Sequence, residues 1–206
     1  MPAKKPPSPR VRRLPEAARE NILTAAEGLL VSEGPLALKL VDVAAAAGVA
    51  NATVMHHFGS IDGLHAALME RMTGELVETA LAAVEEADKN PDRAIELTVQ
   101  ALFDTFESRG AARLAAWLEL TGEWRRLTGV RGAISHVAKR QGQRMGVSAA
   151  VAEEMVLVGV ALALGAGLFG SSLGQLMGKP KSLVRELAAS LLRERVAALK
   201  RLTDSK

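Results

Sequence analysis

The stretch 42–58, Asp42-Val43-Ala44-Ala45-Ala46-Ala47-Gly48-Val49-Ala50-Asn51-Ala52-Thr53-Val54-Met55-His56-His57-Phe58, decides the fold. Ala44 and Ala47 are small enough to let two helices cross closely. Gly48 accepts the left-handed backbone that a tight interhelical turn needs. Val43, Val49, Val54 and Phe58 are spaced to turn an apolar face of both short helices onto a helix that precedes them. Asn51, Thr53, His56 and His57 are left pointing outward. This is the layout of a helix-turn-helix, whose second helix enters the major groove of a duplex.

Outward from this stretch nearly everything reads as helix. Apolar residues recur three and four apart, no alternating run asks for a strand, Tyr is absent and aromatics make up 3% of the chain. A first helix is expected from Pro15, a favoured first-turn residue, to about residue 32, with Ala18, Ile22, Leu23, Ala26, Leu29 and Leu30 as its buried stripe. Gly34-Pro35 ends it. The short pair covers about 40–47 and 51–58. Ser60 is placed to cap a long helix running toward residue 88, and Asn90-Pro91-Asp92 opens another to about 108. Further helices are expected over roughly 111–121, 123–145, 148–177 and 181–203. The chain is thus predicted to be all-α, with about nine helices. It divides into a basic arm (1–14), a three-helix head (15–60) and a larger helical bundle (61–206).

Composition narrows the function. The 206 residues are 49% hydrophobic and 24% charged, enough to bury a real core and too apolar for a disordered chain. There is no cysteine, which removes disulfides and thiolate chemistry and suits a reducing cytoplasm. No nucleophile–base spacing, phosphate-cradling loop or paired carboxylates in an apolar setting occurs, so neither an enzyme nor a cofactor is expected. His56 and His57 are adjacent and do not converge on a helix, and His65 and His136 have no matching spacing. No metal is expected.

The net charge of +3 is unevenly spread. Lys4, Lys5, Arg10, Arg12 and Arg13 put +5 in the first 13 residues, whereas residues 14–70 hold two basic and seven acidic residues. Such an acidic head is repelled by a duplex carrying one charge per about 1.7 Å. The arm brings it to neutrality and can lie along phosphates or enter the minor groove, so its five cations are candidate DNA contacts.

Residues 155–178 carry no charge for 24 residues, long enough to cross a bilayer. The stretch is isolated and holds Ser171, Ser172, Gln175 and six glycines, so a buried interface helix is favoured over a membrane span. Ala166, Gly170, Gly174 and Gly178 fall four apart and leave one helix face nearly bare, which allows close backbone approach. The last helix places Leu187, Leu191, Ala198 and Leu202 along one stripe. Two such helices from each of two subunits make a four-helix interface with two-fold symmetry. Ala166, Gly170, Gly174, Leu187, Leu191 and Leu202 are the candidate dimer contacts.

Residues 16–70 resemble the TetR family of bacterial regulators. The resemblance runs through Ile22-Leu23-Thr24-Ala25-Ala26, the Gly34 break, Val43-Ala44, Gly48-Val49, Thr53-Val54, His57-Phe58, Ser60 and Leu64, over about a third of the chain. It implies DNA contacts from Asn51, Ala52, Thr53, His56 and His57 on the recognition helix. Four positions depart from the family pattern. Lys39 stands where a Thr is usual, Ala50 for Ser, Met55 for Tyr and Ile61 for Lys. The family side chains mainly hold phosphates, which position a protein without reading sequence. Three apolar replacements weaken that clamp, and Lys39 and the arm restore part of it.

The resemblance also implies a ligand pocket and dimer interface in the C-terminal helices. Phe103, Phe106, Trp117 and Trp124 concentrate large apolar groups there, and residues 109–144 hold eight basic residues against two acidic ones. These aromatics are the candidate walls, with Arg113 at the mouth for an anion. The expected function is that of a cytoplasmic homodimeric repressor, released from a near-palindromic DNA operator by a small apolar or amphiphilic anionic effector. Its two recognition helices would sit in successive major grooves, about 34–36 Å apart. The alternative, raised by Met55, Ile61 and the acidic head, is a ligand-binding helical dimer whose helix-turn-helix has weak or no specific DNA binding.

Overall fold

A computed structural model describes residues 15–86 and 90–204; the arm, with Lys4, Lys5, Arg10, Arg12 and Arg13, lies outside them. Nine α-helices and no strand occur among the described residues, as expected. The head is built from α1 (Pro15–Glu33), α2 (Leu40–Ala47) and α3 (Asn51–Phe58). The body comprises α4 (Ile61–Glu86), α5 (Pro91–Phe103), α6 (Ala111–Thr121), α7 (Thr128–Met145), α8 (Ala149–Leu176) and α9 (Leu183–Asp204).

Ile22, Leu23, Ala26 and Leu30 put one face of α1 wholly inside. Val43 and Ala44 of α2 and Val54 of α3 close over it, and Val49 and Phe58 pack at the edge of the same core. Between α2 and α3, Gly48 takes the left-handed conformation (φ 65°) and its amide donates to Ala45 O. Asn21 of α1 donates from Nδ2 to Ala47 O at 2.8 Å, closing the end of α2. Ser60 Oγ accepts from the Gly63 amide at 3.0 Å, the expected cap of α4.

The head is not a separate bead. Leu64 and Leu68 of α4, and Leu114 and Leu118 of α6, belong to the same buried cluster as Leu30, Val43 and Val54. Two irregular turns depart from the expected helices. Residues 104–108 form a π-helical turn (Asp104–Ser108) that closes α5, and Glu123–Arg126 is a short 3₁₀ turn that separates α6 from α7. The expected helix over 123–145 therefore begins only at Thr128.

Candidate functional site

On the head, Lys39 is the N-cap residue of α2 and is exposed. Asn51, Ala52 and His56 are exposed, and Thr53 and His57 are half-buried, so the candidate base and phosphate contacts share the outer side of α3. The His56 and His57 rings lie 5.5 Å apart, edge to face, and no metal-binding cluster occurs among the described residues. Met55 is 42% exposed beside them. Ile61 packs against the core, so its apolar side chain has a structural place of its own.

Ala50 is the N-cap of α3 and offers no side-chain acceptor to the first-turn amides. A hydroxyl there stabilises a helix by about 1 kcal/mol. Ala50→Ser is expected to raise the melting temperature by about 2–4 °C in a chain of this size, measured by circular dichroism.

Behind the head, α4 to α9 line a partly open cavity of about 990 Å³. Its walls are almost wholly apolar, from Met69 and Leu76 of α4, Val99 and Leu102 of α5, and Val160 and Leu164 of α8, among others. Five lining residues are polar: Thr73, Thr98, Glu119, Gln141 and Arg144. The hydroxyls of Thr73 and Thr98 donate to Met69 O and Ala94 O of their own helices, at 2.8 and 2.9 Å. Leu120 and Trp124, both exposed, stand among the lining residues.

The structure divides the expected pocket residues. Phe106 and Trp124 line the cavity; Phe103, Trp117 and Arg113 do not. Phe103 is buried in the core with the Arg185 guanidinium 5.9 Å from its ring centre. Trp117 lies edge-on to His65, ring centres 6.3 Å apart. Arg113 is spent on the head, donating to Val31 O at 3.0 Å. Arg144, from the same basic stretch, is the lining cation among the described residues.

The small face of α8 is likewise corrected. Ala166, Gly170 and Gly174 are buried within the protomer. A Cβ on Gly170 would lie 3.4 Å from Val184 Cβ, and one on Gly174 would lie 3.0 Å from Pro180 O. The bare face lets α9 and the loop before it approach in the same chain, so it is not free for a second copy. A neighbouring face of α8, about a quarter turn round the helix, is the open one, with Phe169 59% and Leu173 45% exposed. On α9, Leu187 and Leu191 are exposed, as a dimer contact requires; the Leu202 side chain lies outside the described set. By length and composition α8 is also the one helix among the described residues apolar enough to cross a membrane.

Several groups with structural roles here carry no local signal. Glu27 on α1 binds Arg109 at 2.6 Å and Arg71 of α4, and Arg71 also donates to Leu23 O at 3.2 Å. His65 of α4 is buried where α4 meets α6, and the buried Nε1 of Trp117 beside it has no hydrogen-bond partner. Burial pushes the His65 imidazole below its ordinary value of 6.5, against the opposing charge of Asp62. His65 therefore stays neutral in the folded protein while the unfolded chain takes up a proton. Its share of stability is complete above pH 6.5 and is lost as pH falls from there through the lowered folded value. One such proton is worth at most about 1.4 kcal/mol per pH unit. Urea unfolding at pH 7.5 and 5.5 is expected to show this loss, and His65→Phe to remove it.

The comparisons agree with this architecture. Residues 22–68 match the model of bacterial regulatory proteins, tetR family. The HTH-type transcriptional regulator BetI of Rhizobium meliloti (strain 1021) is 29% identical over 122 residues, 59% of this chain and 59% of that protein. Among solved structures, a TetR transcriptional regulator from Legionella pneumophila superposes with a TM-score of 0.61 at 16% identity, covering 86% of this chain and 96% of the other. The multidrug binding protein EbrR, complexed with imidazole, gives 0.55 at 19% identity, covering 86% and 93%. Residues 22–68 are thus similar to the tetR family of bacterial regulatory proteins, and the chain shares the fold of these solved structures.

Proposed function

We propose that this chain is a homodimeric, DNA-binding transcriptional repressor released by a large apolar or amphiphilic anionic ligand. The observation that carries the reading is the joining of two features in one core. An exposed recognition helix sits on a head whose buried residues are continuous with the walls of a cavity of about 990 Å³. Cavities of roughly 300–1,000 Å³ with apolar walls and a few polar groups are where small molecules bind. Arg144 takes the role first given to Arg113, as the cation facing an anionic end of the ligand.

The dimer contact moves to the outer face of α8, with Leu187 and Leu191 of α9 beside it. A second copy is favoured over a bilayer as its cover, because the polar flank at Ser171, Ser172 and Gln175 interrupts the apolar surface. Asn51, Ala52, Thr53, His56 and His57 then read the groove, with Lys39 and the basic arm on phosphates.

The test is fluorescence anisotropy on the DNA upstream of the coding region. Affinity is expected to fall steeply with salt, and removal of residues 1–13 to weaken it by about tenfold or more and flatten the salt slope. Dodecanoate is expected to weaken binding by about tenfold, within the usual range of coupling, whereas dodecyltrimethylammonium is not. Salt-insensitive or absent DNA binding with dodecanoate still bound would establish instead the dimer with a degenerate helix-turn-helix, the reading that exposed Met55 favours.

A further inference from the structure

The π-helical turn Asp104–Ser108 is held from three sides. From α9, Arg185 donates to Asp104 Oδ1 at 2.6 Å and to Glu107 Oε2 at 3.3 Å. Phe106, at the centre of the turn, is buried and forms part of the cavity wall. Arg109 closes the turn with its amide on Asp104 O at 2.9 Å and carries its side chain to the head. There its Nε donates to Glu27 Oε1 at 2.6 Å, and its Nη2 lies 2.6 Å from Glu75 Oε2 of α4. One carboxylate in the middle of α1 is thus gripped by a cation from the long helix, Arg71, and by one from the turn that walls the cavity.

The surroundings make this turn responsive rather than inert. A π turn is a wide, rare ring that is found frequently at functional sites. Behind it, a Cβ on Gly167 of α8 would lie only 2.7 Å from Phe106 O, so the turn has no room to retreat toward α8. Burial raises the Glu27 carboxyl, but hydrogen bonds and charge from Arg109 and Arg71 outweigh it and hold it below the ordinary 4.5. The carboxylate therefore stays ionised and bound at neutral pH.

We propose that Arg109 is a positioning residue that locks α1, and with it the recognition helix, to the cavity wall, and that an occupant displacing Phe106 draws Arg109 off Glu27 and frees the head. The second half rests on the ligand-responsive reading above; the first does not. The turn that feels the ligand and the cation that holds the head are three residues apart on one irregular loop, so no long path is required.

The experiment compares the full-length wild-type chain with Arg109→Gln, Arg109→Lys and Glu27→Gln. Amide hydrogen exchange of the free proteins reads the lock directly. Arg109→Gln and Glu27→Gln are expected to speed exchange in the second half of α1 by about tenfold and to leave α8 unchanged. Arg109→Lys is expected to fall between, because one ammonium cannot bridge Glu27 and Glu75 as a guanidinium fork does. Exchange in α1 equal to wild type in both Gln variants overturns the proposal. The second readout is the factor by which anilinonaphthalene sulfonate weakens DNA binding, about tenfold in wild type and below about threefold in Arg109→Gln. An undiminished factor in that variant also overturns it. If the probe enters the wild-type cavity without affecting DNA binding, the ligand-responsive reading fails, the transmission step is overturned with it, and the lock stands or falls on α1 exchange alone.

Discussion

Phe169→Glu with Leu173→Glu is expected to yield a folded monomer that has lost at least about a hundredfold in operator affinity. Both side chains stand one turn apart on the outer face of α8 and are largely exposed in the protomer, so the protomer loses little by their replacement. In a two-fold dimer each is buried twice. Full burial of such a side chain is worth about 1.5–3 kcal/mol, and a glutamate brings in its place a charge that burial disfavours. Joining two half-site readers multiplies affinity by about 10²–10⁴ without any new contact, and this is what dissociation forfeits. Sedimentation velocity reports the mass, circular dichroism the fold and anisotropy the affinity. A double variant that sediments as the wild type would rule out this face of α8.

The second large effect concerns the protomer itself. Gly167→Ala is expected to destabilise the chain by about 2 kcal/mol or more, and Gly167→Val to prevent its recovery as a folded protein. A Cβ at this position would lie 2.7 Å from Ala112 Cβ, 2.7 Å from Phe106 O and 3.1 Å from Phe106 C. Two of these three atoms are backbone and cannot swing aside. Helix propensity argues the other way, favouring Ala over Gly by about 1 kcal/mol, so the sign of the change decides which effect wins. Gly132 on α7 supplies the comparison. Nothing lies within 4 Å of a Cβ there, and Gly132→Ala is expected to gain the propensity difference of about 1 kcal/mol. Thermal unfolding of the two variants, shifting in opposite directions, is the check.

The parts of the molecule that were legible in the sequence are those whose partners are close in it. Between Val43 and Phe58 every residue has one role that agrees with its neighbours, so the head could be read whole, down to the turn at Gly48 and the cap at Ser60. The pocket was legible only as a region. Phe103 and Phe106 are spaced to share a helix face, but the π turn changes the winding between them, and only Phe106 lines the cavity. The arginines misled for a related reason. Arg109 and Arg113 meet Glu27 and Val31, each 82 residues away, and no spacing foretells such a pairing. On α8 the stripe of small residues was legible, but not that its neighbour lies in the same chain. A bare face allows any backbone to approach, and here the chain's own α9 and the loop before it fill that face, while Phe169 and Leu173 remain exposed.

The cavity walls have one further consequence, for what the protein can tell apart. With the threonine hydroxyl protons committed to their own helices, most of the interior contributes shape and apolar surface but few directed hydrogen bonds. Such a chamber gauges its occupant mainly by bulk. Neighbouring members of a homologous series, differing by one methylene worth about 0.8 kcal/mol, are separated by only about fourfold in affinity. Under the proposed function, the response is therefore expected to be graded across a class of compounds rather than tuned to one. Exchanging a few wall residues such as Met69, Met145 or Met155 would move that window while leaving the recognition helix as it is.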